Sequence, residues 1–159
     1  VLLYSQLNPA QQTECLKSCS QLTDAIYSGL DASREIVAVA NQKLGDTVLL
    51  QDDDQLKGFA VCHCGEGSEA GKDNCFVKFG AVQSGHSEAD FERLLQSCER
   101  FARQQGLKNL VCGVNTERQV AYQKMLSMSF RIEMIGVVLS KPNQPGFNRP
   151  DAFVLDDWR

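Results

Sequence analysis

No run of basic residues marks this 159-residue chain, and its formal net charge is −4. Without a basic stripe there is no electrostatic footprint for a phosphate backbone, which excludes the usual route to nucleic-acid binding. No apolar stretch approaches the roughly 20 residues that span a bilayer, and no charged segment leading into an apolar core stands at the N-terminus. The expectation is a cytoplasmic protein with neither membrane nor nucleic acid among its partners. CxxC spacing is missing too. Seven cysteines, an odd number spread through apparent helices and strands, make no disulfide framework and point to reduced, metal-free thiols in a reducing compartment. Cys15 and Cys19 lie four apart on a helical stretch, and Cys62-His63-Cys64 lies on a strand-like one. Strand alternation turns His63 away from both neighbouring thiols, so these read as small core residues and not as a zinc site. A Ser-His-Asp order, a nucleophile elbow and a P-loop are all absent.

What is present describes a folded domain. Apolar residues make up 43% of the chain and charged residues 23%, ordinary values for a globular protein. No repeat, low-complexity tract or linker divides it, so residues 1–159 read as one domain, either standing alone or belonging to a longer chain.

The organising stretch runs from Cys75 to Arg131. Cys75 to Val82 is rich in β-branched and aromatic residues and predicts a strand. Gln83-Ser84-Gly85-His86 breaks it, and Ser87 stands three residues before Asp90, the pattern of a helix cap answered by a carboxylate. Leu94, Leu95, Cys98, Phe101 and Ala102 then share one helical face, and Gly106 ends the helix. Asn109 to Val114 predicts a buried strand and Arg118 to Met128 a second helix, which makes a β-α-β crossover with parallel strands.

Around this core, Asn8 and Pro9 open a first helix expected to reach about Ser20, and Asp31-Ala32-Ser33-Arg34 opens another that Gly45 should stop. Thr47 to Leu50 and Phe59 to Cys64 predict a hairpin across Gln51-Asp52-Asp53-Asp54-Gln55, read as a solvated acidic turn and not a cation site. Gly65 to Asn74 predicts a loop. Phe130 to Leu139 predicts a long strand, and Ala152 to Leu155 a short last one after Pro142, Pro145 and Pro150.

Two helices, a hairpin, then strand, helix, strand, helix and strand is an order that resembles the GNAT superfamily of N-acetyltransferases, over roughly residues 32–139. Ala81-Val82 closing a strand, Leu94-Leu95 on the following helix and Ala121 nine residues before Phe130 carry the likeness. The resemblance implies an α/β (α+β) fold, a GNAT-like mixed central sheet flanked by helices, with a β-α-β-α-β core at 75–139. It implies acetyl-CoA as cosubstrate, a coenzyme A thioester and a small-molecule or peptide amine as partners, and no metal. In that family a turn written Gln/Arg-x-x-Gly-x-Gly/Ala offers bare amides at a helix N-terminus to the coenzyme's pyrophosphate, an anion site of the helix end. By that register Val82, Gly85, Ser87, Glu88, Ala89 and Arg118 are the coenzyme-binding candidates, with the Val82 amide polarising the thioester carbonyl.

The departures are specific. Ser87 stands where the arginine or glutamine belongs, Glu88, Asp90 and Glu92 replace small residues, Arg118 replaces asparagine, and Ser129 replaces the glycine before Phe130. The carboxylates suit the helix macrodipole and should repel a pyrophosphate. Met125 takes the place of the tyrosine that protonates the leaving thiolate; Tyr122, three residues earlier, is the candidate acid and His86 the candidate base. His63 and Glu117 are weaker options, and Cys62, Cys64 and Cys75 lack an obvious histidine partner for nucleophilic work. Two functions stay open. One is acyl transfer from acetyl-CoA to an amine; the other is a non-catalytic domain that kept the fold and lost the phosphate site.

Overall fold

The computed structural model describes residues 1–83, 88–137, 139 and 146–156. Strand β1 (Leu2–Leu3) and a 3-10 turn (Tyr4–Gln6) lead into helix α1 (Pro9–Ile26). Asn8 and Gln11 form a reciprocal capping box, each side chain meeting the other's backbone N–H at 3.0 Å. The helix runs past Ser20 because its apolar stripe does: Cys15, Cys19, Leu22 and Ile26 keep the helical spacing and are all buried. Helix α2 (Ser33–Gln42) begins where Asp31 accepts the Ser33 N–H and hydroxyl at 2.9 and 2.6 Å, which holds the Asp31 carboxyl below its ordinary range. Lys43, in the left-handed region at φ 56°, ends it, and Gly45 opens the next strand instead of capping the helix.

Strands β2 (Gly45–Asp52) and β3 (Gln55–Cys64) form the expected hairpin, but with a two-residue turn. Asp53 and Asp54 both take positive φ, 47° and 61°, as a tight turn matched to strand twist demands. Strand β4 (Asn74–Val82) pairs antiparallel with β3, helix α3 (Glu88–Gln104) crosses the sheet, and β5 (Asn109–Cys112) pairs parallel with β4. Helix α4 (Gln119–Ser127) and strand β6 (Val154–Asp156) complete the chain.

The sheet runs β1-β2-β3-β4-β5, with β6 also on β4. Alternation along the strands divides the core in two. Val48, Leu50, Ala60, Cys62 and Val77 face α3 and α4, where Phe91, Leu94, Leu95 and Phe101 are buried; Leu49, Phe59, Val61 and Ala81 face α1 and α2, against Ile36 and Val39. Gly45 sits where a Cβ would come within 1.9 Å of the Cys62 carbonyl oxygen, at φ 155°. Gly45→Ala is therefore expected to destabilise the domain by about 1–3 kcal/mol, measured as a lowered urea midpoint at unchanged m-value.

One expected strand is absent. Residues 130–137 and 139 form none, and Ile135, Val137 and Leu139 are more than four-fifths exposed. Period-two alternation at Phe130-Ile132-Met134 tells which face such a strand would bury, not which sheet edge receives it. The core expected over 75–139 thus keeps β4, α3, β5 and α4, and takes its last strand from 154–156.

Candidate active site

Strand β4 leaves β5 at a definable place. Val77 opposite Cys112 is the last parallel pair, and the neighbouring β3 register skips Lys78, since Val61 faces Phe79 while Cys62 faces Val77. An extra residue on one strand of an antiparallel pair is a β-bulge, which bends that strand and raises its twist. The bulge at Lys78 falls where the pairing of β4 with β5 ends, and the second half of β4 continues without β5 beside it.

The gap between them is filled. Phe79, Gly80 and Ala81 pair with Asp156, Leu155 and Val154 of β6. The Val82 N–H, expected to face a thioester, donates to the Phe153 carbonyl at 3.1 Å, and the Asp156 N–H donates to the Gly113 carbonyl at 3.2 Å. Gly113 admits the strand because a Cβ there would lie 2.2 Å from the Asp156 carbonyl oxygen. Phe153 packs on Phe91 of α3, ring centroids 5.3 Å apart.

Arg118 holds this segment in place. Its guanidinium is 1% exposed and reaches both Asp156 carboxylate oxygens at 2.9 and 2.7 Å, the Val154 carbonyl at 2.8 Å and the Asn148 side-chain oxygen at 2.6 and 3.0 Å. The Phe147 ring lies 4.9 Å from its central carbon. The expectation that Arg118 faces a coenzyme is corrected by this geometry, because its donors are directed inward onto the C-terminal strand.

At the start of α3 the expected acidic turn is present, with a cation the sequence reading passed over. Lys124 of α4 sits 2.9 Å from Glu88 and 3.1 Å from Glu92, contacts that push its pKa up, Glu88 foremost. Asp90 is buried and meets Arg93 at 2.9 Å, and Arg93 grips Asp52 of the hairpin turn at 2.8 and 2.7 Å, holding that carboxyl below its ordinary range. One of the three turn aspartates is thus a tie to α3. Between α3 and α4 a groove of about 540 Å³ is lined by Glu88, Gln119, Val120, Gln123, Lys124 and Ser127. Glu88 and Ala89 are exposed, while Gly85, His86 and Ser87 lie outside the described residues. Tyr122 is half-buried on α4, beside Ala121, which with Met125 enters the core.

Other candidates fall elsewhere. His63 is buried on the α2 face of the sheet with Nε2 3.1 Å from the Glu35 carboxylate, and its Nδ1 has no partner among the described residues. Glu117 is exposed in the loop before α4. Among the described residues no three His, Cys, Asp or Glu side chains converge as a metal site. The seven cysteines are free thiols.

Three solved structures share this architecture. TTHA1254 of Thermus thermophilus superimposes with a TM-score of 0.56 at 16% identity, covering 82% of this chain and 93% of its own. The aminoglycoside 6'-N-acetyltransferase AAC(6')-IG of Acinetobacter haemolyticus gives 0.60 at 17% identity over 87% and 97%. Aminoglycoside N-acetyltransferase AAC(6')-Iy, solved with the bisubstrate analogue CoA-S-monomethyl-acetylneamine, gives 0.61 at 12% identity over 80% and 92%. The chain has the GNAT fold. No family model matches its sequence, and no curated protein does. Within the GNAT fold, then, β4, the start of α3 and α4 stand where the sequence resemblance placed them, and the split between β4 and β5 carries a strand of the protein itself.

Phe153, Asn148 and Asp156 were invisible to motif reading because they act through backbone geometry and through one buried cation. Lys124 had a readable signal. Glu88 and Glu92 are one helical turn apart and form an acidic stripe that a neighbouring helix must answer.

Proposed function

We propose that this chain is a GNAT-type acyltransferase that moves an acetyl or related acyl group from a coenzyme A thioester to an amine. The observation that supports this reading most is the parting of β4 from β5 at Lys78, beside the first turn of α3 and the groove bearing Lys124. The Phe153 carbonyl on the Val82 N–H stands in for the acceptor that a thioester or pantetheine carbonyl would present. Ligand entry therefore requires residues 152–156 to move aside. Tyr122 is assigned as the acid for the departing thiolate and His86 as the base for the ammonium, with Val82, Gly85, Ser87, Glu88 and Ala89 lining the coenzyme. The solved neighbours named as aminoglycoside N-acetyltransferases support a small-molecule amine as acceptor, with a peptide amine as the other class.

A second reading, a non-catalytic domain of the same fold, is favoured by the closed split and by the Arg118–Asp156 lock. Calorimetric titration of the pure protein with acetyl-CoA separates the two. The acyltransferase reading expects saturable heat with a micromolar dissociation constant. Absence of heat from folded protein at millimolar acetyl-CoA would leave the non-catalytic reading standing.

A further inference from the structure

Cys64 and Cys75 face each other across β3 and β4. Their position in the ladder follows from its hydrogen bonds: the N–H of Gly65, the residue after Cys64, donates at 3.0 Å to the carbonyl of Asn74, the residue before Cys75. That pattern belongs to a non-hydrogen-bonded pair, in which Cα atoms stand about 4.5 Å apart and the side chains approach most closely. A disulfide accepts Cα separations of roughly 4.4–6.8 Å, so the backbone already has a bridging geometry. As directly opposite residues of an antiparallel pair, they carry their side chains on the same face of the sheet.

Access is one-sided. Cys75 is fully buried, while Cys64 is half-buried and lines a cavity of about 530 Å³ with Ser5, Lys43, Asp46 and Phe101. The neighbouring Cys62 and then Cys64 thiols pull the Cys75 pKa down to about 4, while the Cys75 thiol beside it pushes Cys64 up.

We propose that Cys64 and Cys75 are a peroxide-sensitive dithiol, a modification site separate from the acyl-transfer groove. Hydrogen peroxide enters through the cavity. As its S–H proton passes to solvent in the cavity, the Cys64 sulfur attacks one peroxide oxygen; the O–O bond breaks, and the expelled hydroxide takes a proton and leaves as water. Cys75 then attacks the Cys64 sulfenic sulfur, the S–S bond forms, the S–O bond breaks, and a second water leaves. Two thiols lose two electrons and two protons, and one peroxide becomes two waters. Cys15 and Cys19, whose sulfurs stand 4.0 Å apart on consecutive turns of α1 away from this cavity, serve as the internal comparison.

The test treats the folded chain with one equivalent of hydrogen peroxide, alkylates remaining thiols and maps the peptides by mass spectrometry. The expected product is a single Cys64–Cys75 linked peptide, reversed by dithiothreitol, with two fewer alkylated thiols than the seven of the untreated protein. Cys64→Ser should abolish the link, and Cys98→Ser and Cys112→Ser should retain it. Cys75→Ser, at a buried site, is informative only if folded, and Cys64→Ser carries the test without it. Full alkylation of all seven, a link at Cys15–Cys19 in its place, or a cross-link persisting in Cys64→Ser would each overturn the assignment.

Discussion

Replacing Arg118 with methionine is expected to destabilise the domain by about 3 kcal/mol and to release its C-terminal strand. The change leaves the Val154 carbonyl, the Asn148 amide oxygen and the Asp156 carboxylate without the donors that now satisfy them. Breaking a buried ion pair by deleting one member strands the other charge, which costs more than the pair was worth against an apolar replacement. The Asp156 side chain is 30% exposed and regains water, which places the loss at the low end of the range for such pairs. Arg118→Lys keeps the charge but not the two-pronged grip on the carboxylate, so it should fall between the two proteins. Urea unfolding followed by circular dichroism gives the stability, and hydrogen exchange gives the local effect. With β6 released the Val82 N–H loses Phe153 and should exchange faster. A stability loss with unchanged Val82 exchange would separate Arg118 from the closure of the split.

How far the fold was legible in the sequence depended on whether a local signal decided each element. The cap at Asn8, the apolar faces of α2 and α3 and the β-branched run of β4 are local, and they formed where their residues predicted. The extension of α1 to Ile26 was present in the spacing of Leu22 and Ile26 but masked by the polar residues around them. The choice between 130–139 and 154–156 as last strand was not local. It rests on Gly113 making room and on Arg118 reaching a carbonyl 36 residues away, contacts that no window of sequence contains. The candidate site divides similarly. The acidic first turn of α3 was readable, whereas its neutralisation by Lys124, from a helix 32 residues on, required the packing of α3 on α4.

That neutralisation changes what the carboxylates are expected to do. Read alone, Glu88, Asp90 and Glu92 should drive an anion from the helix N-terminus. In the fold, Asp90 is held by Arg93, and Glu88 and Glu92 share Lys124, leaving that three-residue cluster with one negative charge in excess. The double substitution Glu88→Gln and Glu92→Gln reverses that balance, since Lys124 then faces the groove as a free cation beside the helix N-terminus. Coenzyme A affinity should rise by one to two orders of magnitude, the lower figure holding at physiological salt, because these side chains are partly exposed and screened. Calorimetry against coenzyme A at low and physiological ionic strength measures both the gain and its salt dependence. Adding Lys124→Ala to the double variant should return the affinity to the wild-type value or below it. An affinity that stays flat through all three proteins would place the pyrophosphate away from Lys124. The acyltransferase reading would then have to rest on the amides of α3 alone.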